Sequence, residues 1–281
     1  MINQLKTIML LGLLTALLLW VGQLLGGTSG LAIAFIIVLL LNFVMYWFSD
    51  KIILKMYKAK EAEKNSKLYY LVQEVAMEAK LPMPKVYVIP SNNPNAFATG
   101  RNPKNSAIAC TNGILDLLDK HELKGVIAHE LGHIKNRDTL ITTIAATLAG
   151  IIAYVASMAR WAAIFGGFGG KDRDNNNIVS LLALAILTPL IATILQLAIS
   201  RQREFIADET AAKITKDPNS LAEALLKIEQ GVKLHPMAMG SEATSSLFIA
   251  NPFKGSGILN LFSTHPPIKD RVAKLRAIKI Y

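Results

Sequence analysis

The stretch Asp119–Asp138, DKHELKGVIAHELGHIKNRD, is the part of this sequence from which the rest can be read. Asp119, followed three residues later by Glu122, has the spacing of a capping box, so a helix is expected to start there and run through His133. On that helix His129-Glu130-Leu131-Gly132-His133 sets two imidazoles four residues apart. Such positions lie ~40° from each other around the axis, so both rings emerge on one face and can share a metal ion. Glu130 projects beside them, where it can hold a water. With only five histidines in 281 residues, the pattern has little chance of arising by accident. Val126, Ile127 and Ile134 supply the helix with an apolar flank.

Outward from this helix the chain divides by charge. Ile8–Leu25, Leu31–Phe48, Leu140–Met158 and Ile178–Ile199 contain no Asp, Glu, Lys, Arg or His. Each is about as long as the ~20 residues that cross a ~30 Å hydrocarbon core as a helix. The first two are joined only by Gly26–Gly30 (GGTSG), which reads as the turn of a helical hairpin. The apolar run of the first is long for a cleaved signal peptide, and a second span follows at once. In the fourth, Pro189 and Gln196 blur the exact ends. At 52% hydrophobic and 18% charged, the chain departs from an ordinary soluble domain, which carries roughly 25% charged residues. Those figures also exclude a disordered or collagen-like chain. The single cysteine, Cys110, excludes an internal disulfide framework and any multi-cysteine metal site, and reads as a small core residue.

The net charge of +10 is distributed as membrane topology would distribute it. Between Ser49 and Thr139 there are 14 Lys and Arg against 10 Asp and Glu, and from Ser200 to Tyr281 there are 12 against 8. The Gly26–Gly30 turn has no basic residue. Positive charge favours the cytoplasmic side, which puts both polar segments and, with four spans, both termini there. No basic helix with interleaved aromatics is present, so nucleic acid is not an expected partner. The predicted organisation is an N-terminal transmembrane hairpin over 1–48, a catalytic segment over 49–139, a second hairpin over 140–199 and a second catalytic segment over 200–281.

Within the polar segments, Leu68, Leu71, Val72, Val75 and Ala79 at helical spacing predict a helix over Glu61–Lys80. Lys85–Ile89 (KVYVI) is a predicted strand, and Asn95–Gly100 and Ser106–Thr111 are candidates for two more. Asp217 with Pro218 starts a helix over Asn219–Gln230. Leu234–Gly257 has no clear periodicity and receives no assignment. Gly166–Gly170 lacks the context of a phosphate loop and reads as a connection. His121 and His235 read as surface or helix-end residues.

A catalytic zinc takes three protein ligands, and topology narrows the choice of the third. After His133 the acids are Asp138, taken to lie in the next turn of the same helix, and Asp172 and Asp174, expected across the bilayer. Glu204 and Asp208 come first after the chain returns. They are four apart, so on a helix both face one way. Glu204 is the expected third ligand and Asp208 the acceptor that orients a ligand imidazole through its free N–H.

HELGH, a following span pair, then Arg203-Glu204-Phe205-Ile206-Ala207-Asp208 resemble the HtpX family of membrane-bound zinc endopeptidases, relatives of the CAAX prenyl endopeptidases. Asn95–Gly100 and the late Thr264-His265-Pro266-Pro267 fit the same resemblance, which covers essentially the whole chain. It implies a mainly α integral membrane protein: four transmembrane helices plus a cytoplasmic α+β zincin-like metalloprotease domain with a small β-sheet. It implies one Zn2+ per chain and polypeptide substrates, membrane proteins among them. It also implies a role in quality control at the bacterial inner membrane, with the active site and both termini cytoplasmic. Glu130 would be the general base of a hydrolysis without a covalent intermediate. His265 would donate to the oxyanion, or else cap the helix of Ile268–Ala277. Asn95, Ala96, Phe97 and Ala98 would form an edge strand whose free N–H and C=O groups pair with an extended substrate, the plainer reading being a turn after Pro94. Arg271 reads as a structural charge partner or a substrate contact.

Two rivals stay open in the sequence. An intramembrane protease would carry its HExxH within a span, but Lys120, Glu122 and Lys124 before the motif and Lys135 and Arg137 after it argue for a helix at the interface. A scaffold with structural zinc would close the fourth position with Cys110, His121, His235 or His265.

Overall fold

The first two uncharged stretches lie within one helical element, α1 (Ile2–Met56), with no separate loop at residues 26–30. Gly27 within it takes φ +57°, the left-handed value at which glycine ends helices. One left-handed residue between right-handed segments redirects the helix axis, and only glycine adopts it without a Cβ penalty. The structure, a computed structural model, describes residues 2–138, 175–236, 248–250 and 266–279, with 141, 145, 148 and 152. The chain forms two compact units: Met1–Met45 with Thr143–Ile199, and Tyr46–Thr142 with Ser200–Tyr281. Taken over the described residues alone, no helix is long and apolar enough to cross a membrane. The 159–177 loop expected between the last two spans lies largely outside the described residues, as does Gly166–Gly170.

The second unit holds a four-stranded mixed sheet of β1 (Lys60–Glu61), β2 (Lys85–Ile89), β3 (Ala96–Asn102) and β4 (Asn105–Thr111), in the order β1-β2-β4-β3. β2 and β4 run parallel, and β3 lies antiparallel to β4 with Ala96 opposite Cys110 and Ala98 opposite Ile108. β3 is therefore an edge strand. The helix expected over 61–80 starts later. Lys60 and Glu61 pair with Val88 and Tyr87 of β2, and α2 (Lys67–Glu78) begins where the Ser66 hydroxyl accepts the Tyr69 N–H. A local side-chain cap thus overrides periodicity at that end. A short helix that periodicity did not reveal, α3 (Asn112–Leu117), starts at Thr111 in the same way, its hydroxyl accepting the Ile114 N–H.

α4 (Lys120–Asn136) has the capping box read from the sequence: Asp119 accepts the Glu122 N–H at 2.9 Å, and the Glu122 carboxylate accepts the Asp119 N–H at 3.1 Å. It ends at Arg137, which is left-handed at φ +59°. Asp138 is therefore not in the next turn of this helix, as the sequence suggested, but beyond a sharp change of chain direction. α5 (Asn175–Thr215) carries Glu204 and Asp208, α6 (Pro218–Leu234) follows, and α7 (Ile268–Ala277) closes the chain. α2, α4, α6 and α7 bury Val72, Val75, Val126, Ile127, Leu131, Leu225, Ile228 and Leu275 in one core with Ile108 and Cys110 of β4. A Cβ on Gly132 would lie 3.2 Å from the Ala207 carbonyl and 3.3 Å from Thr210 Cβ. The glycine inside HELGH thus lets α5 lie directly against α4.

Candidate metal centre

α4 presents His129 and His133 on one face, and α5 brings Glu204 to it. The two Nε2 atoms are 3.1 Å apart, and Glu204 places Oε2 3.7 Å from His129 Nε2 and Oε1 3.4 Å from His133 Nε2. Ligand atoms bound at roughly 2.0–2.1 Å in a tetrahedron sit about 3.3–3.4 Å from one another. The two ring nitrogens approach that spacing, Glu204 turns a different oxygen to each ring, and among the described residues these three form the one group that could hold a metal ion. His129 and Glu204 are buried, His133 nearly so.

Each imidazole is oriented by an aspartate. His129 Nδ1 lies 3.0 Å from Asp208 Oδ1, and His133 Nδ1 lies 3.1 Å from Asp138 Oδ2. Ionised carboxylates only accept, so both Nδ1 atoms carry hydrogen and both Nε2 atoms are left for the shared centre. Asp208, expected as the acceptor for a ligand imidazole, lies at His129 Nδ1. Asp138 was not assigned such a role.

The two rings differ in protonation when no metal is bound. Burial pushes the His129 pKa down to about 4, so that ring is neutral. Burial also opposes charge on His133, but its contacts with Asp138 and Glu204 together prevail and raise its pKa well above the usual value. Metal binding at His133 Nε2 would displace a proton from that ring. The donor set of two imidazoles and one carboxylate suits a divalent metal ion with a position left for water.

Glu130 is buried beside the two histidines. Burial raises its pKa to about 7; the nearby Glu204 charge adds to the rise, while His133, an N–H bond from Ala98 and Arg271 oppose it. A carboxylate that can gain or lose a proton near neutrality is suited to act as a general base.

The edge strand is in place, though its outer groups are not all open. The Ala96 carbonyl accepts the Ile249 N–H at 3.1 Å, and the Ala98 N–H donates to Glu130. Asn95 Nδ2 donates to the Ala250 carbonyl at 2.8 Å. Phe248 packs edge-on against both Tyr57 and Phe97, with ring centroids 5.0 and 5.3 Å away. The chain's own Phe248–Ala250 segment therefore occupies the Ala96 end of an edge expected to be free, because its side chains bury in the adjoining apolar cluster.

Arg271 is more central than its sequence context indicated. Fully buried, it donates from Nε and Nη2 to the two Asp208 oxygens at 2.9 and 2.7 Å. Its Nη1 lies 2.9 Å from Glu204 Oε2 and donates to the Ile249 carbonyl at 3.1 Å. It thus ties the metal-ligating helix α5 to the segment on β3. His265 lies outside the described residues. The helix it was expected to precede has Pro267 at its N-cap, with no side-chain cap bond. His121 pairs with Asp217, and His235 stands at the C-cap of α6, both away from the centre. Cys110 is buried in β4, with its pKa raised by burial.

Comparison with known proteins agrees with this geometry. The description "Peptidase family M48" matches residues 62–279. A protein named Protease HtpX homolog from Syntrophotalea carbinolica is 49% identical over 278 residues, covering 99% of each chain. One of the same name from Pyrococcus furiosus is 50% identical over 275 residues, covering 97% of this chain and 95% of its own. The crystal structure of S. mikatae Ste24p shares the fold with a TM-score of 0.54 at 20% identity; the alignment covers 97% of this chain and spans 65% of that one. Matched over 62–279 and about half identical to these relatives along nearly its whole length, the chain belongs to peptidase family M48, a protease acting on polypeptides.

Proposed function

We propose that this protease is a zinc-dependent endopeptidase of the bacterial inner membrane that cleaves cytoplasm-exposed parts of misfolded or damaged membrane proteins. The observation that carries the reading is the convergence of His129, His133 and Glu204 at 3.1–3.7 Å, with Glu130 beside them. Zinc, when bound, would polarise the scissile carbonyl and make water a stronger acid. His129, His133 and Glu204 would hold the metal, and Glu130, with its carboxylate beside them, would accept a proton from water and return it to the leaving amine, with no covalent intermediate. Asp208 and Asp138 hold the imidazoles in the tautomer that leaves Nε2 for the metal. The Ala98 N–H fixes the direction of the Glu130 carboxylate, and the Ala98 carbonyl on the same outer side of β3 accepts an N–H from an extended substrate. Asn95, Ala96 and Phe97 keep that strand in line, Ala96 through its bond to Ile249. His265 donates to the oxyanion.

The membrane setting is supported by the four uncharged stretches and by exposed apolar side chains. Leu13, Trp20, Phe35, Leu40 and Phe43 of α1, and Leu187 and Ile194 of α5, are each at least half exposed. Solvated helices rarely carry so many in succession, whereas lipid would cover them. The relatives' printed name, Protease HtpX homolog, agrees with the family resemblance from which the quality-control reading is taken.

Two measurements test the proposal. Metal analysis of the full chain should find one zinc, reduced in His129→Ala, His133→Ala and Glu204→Ala. Reporter tags at Gly27 and Asn175 should be exocytoplasmic, and tags at Asn65 and Tyr281 cytoplasmic. A cytoplasmic tag at Asn175 would contradict the second hairpin.

A further inference from the structure

The two ligand imidazoles are held by arms of the same composition. Arg271 grips Asp208 through two hydrogen bonds, and Asp208 accepts from His129 Nδ1. On the other side Arg203 Nη1 donates to Asp138 Oδ1, and Asp138 Oδ2 accepts from His133 Nδ1. Asp138 is 1% exposed and the Arg203 side chain 7%, so both charges are withdrawn from water. Isolated burial of a carboxylate is costly; paired with a guanidinium and an imidazole N–H, it is satisfied.

The backbone is shaped for this contact. On a continuing helix a residue five positions after His133 would lie about 140° around the axis, well away from the ring. The left-handed Arg137 breaks that path, and Asp138 comes back to Nδ1. A non-glycine residue in this conformation is strained, and the surrounding contacts must offset that strain. Arg203 in turn immediately precedes the ligand Glu204 on α5. The helix that supplies the third donor therefore also clamps the acceptor of the second.

We propose that Asp138 and Arg203 are a positioning pair for the metal centre: Arg203 fixes Asp138, and Asp138 fixes the ring plane and tautomer of His133. The pair makes the spacing of His133 and Glu204 depend on one contact between the end of α4 and α5. This rests on the reading of His129, His133 and Glu204 as the zinc ligands.

The test uses the full chain in detergent, with zinc affinity read by chelator competition and cobalt(II) as a spectroscopic probe. Asp138→Ala should weaken zinc binding by the ~10–100-fold typical of lost outer partners and change the cobalt visible spectrum. Asp138→Asn keeps an acceptor for Nδ1–H and should fall between Asp138→Ala and wild type; being isosteric, it guards against failure to fold. Arg203→Lys, which keeps the charge but loses the planar fork, should also bind zinc less tightly. Melting of the metal-free proteins separates this from a purely structural role. Lower melting temperatures with wild-type zinc affinity and cobalt spectra in Asp138→Ala and Asp138→Asn would overturn the proposal. His133→Ala distinguishes the deeper failure: if it too retains full zinc affinity, the ligand set itself is wrong and the positioning pair falls with it.

Discussion

The Ala98 N–H of the edge strand donates to the carboxylate of Glu130 on the metal-binding helix. Through this bond the proposed general base and the strand proposed to meet substrate share one frame of reference. A peptide paired along β3 beyond Ala98 would be held in register with Glu130, so alignment and proton transfer depend on the same few atoms. The occupied Ala96 carbonyl limits that pairing to one end of the strand.

Glu130 lowers the stability of the metal-free protein. Its pKa is raised from 4.5 to about 7 by burial, so the folded state holds a proton that the unfolded state releases between those values. Stability from this group is therefore full below pH 4.5 and is lost as pH rises through 7. At about 1.4 kcal/mol per unit the loss is roughly 3 kcal/mol. Thermal unfolding of metal-free Glu130→Gln should match wild type near pH 4 and exceed it at pH 8. Equal curves at both pH values would show that the carboxylate is not desolvated.

Replacement of Arg271 should affect metal and substrate together. Lysine cannot reproduce two bonds to Asp208, a contact with Glu204 and a bond to the Ile249 carbonyl. Breaking such a buried pair costs about 3–5 kcal/mol. Arg271→Lys should lower both melting temperature and zinc affinity, and raise KM because the Ile249 segment on β3 loses its anchor. An unchanged KM in protein reloaded with zinc would separate Arg271 from the strand.

Arg137 stands at φ +59° without being glycine. Arg137→Gly should remove a penalty of about 1 kcal/mol net of the added freedom of the unfolded chain. The melting temperature should rise by a few degrees with zinc affinity unchanged. A fall in stability would mean that the arginine side chain makes a contact worth more than the strain.

The grouping of His129, His133 and Glu204 at one candidate metal site was legible in the sequence because each residue rests on a short-range rule. His129 and His133 follow from helical spacing, and the helix itself from Asp119 and Glu122. Glu204 and Asp208 needed only chain order and a second i, i+4 pair. Asp138 was visible as an acid but misplaced, since a left-handed arginine leaves no signal in periodicity. Arg203 received no role and Arg271 only that of a structural charge partner or a substrate contact, because burial of a charge is a property of the packed structure. Phe248–Ala250 lies in a stretch without periodicity, and its place on β3 depends on Asn95 and Arg271, distant along the chain. Lys60–Glu61 was lost to a helix for a related reason: the β2 partner that makes it a strand is some 25 residues away.

The central claim is that Glu130 performs the proton transfer while His129, His133 and Glu204 hold the metal. Zinc-loaded wild type and Glu130→Gln, purified in parallel, should be assayed on an unfolded protein such as casein. The variant removes the base but preserves shape and hydrogen bonding. It should keep about one zinc per chain and lose at least the ~10²–10⁴-fold that general acid–base assistance supplies. Wild-type-like proteolysis by a zinc-loaded Glu130→Gln protein would contradict the account.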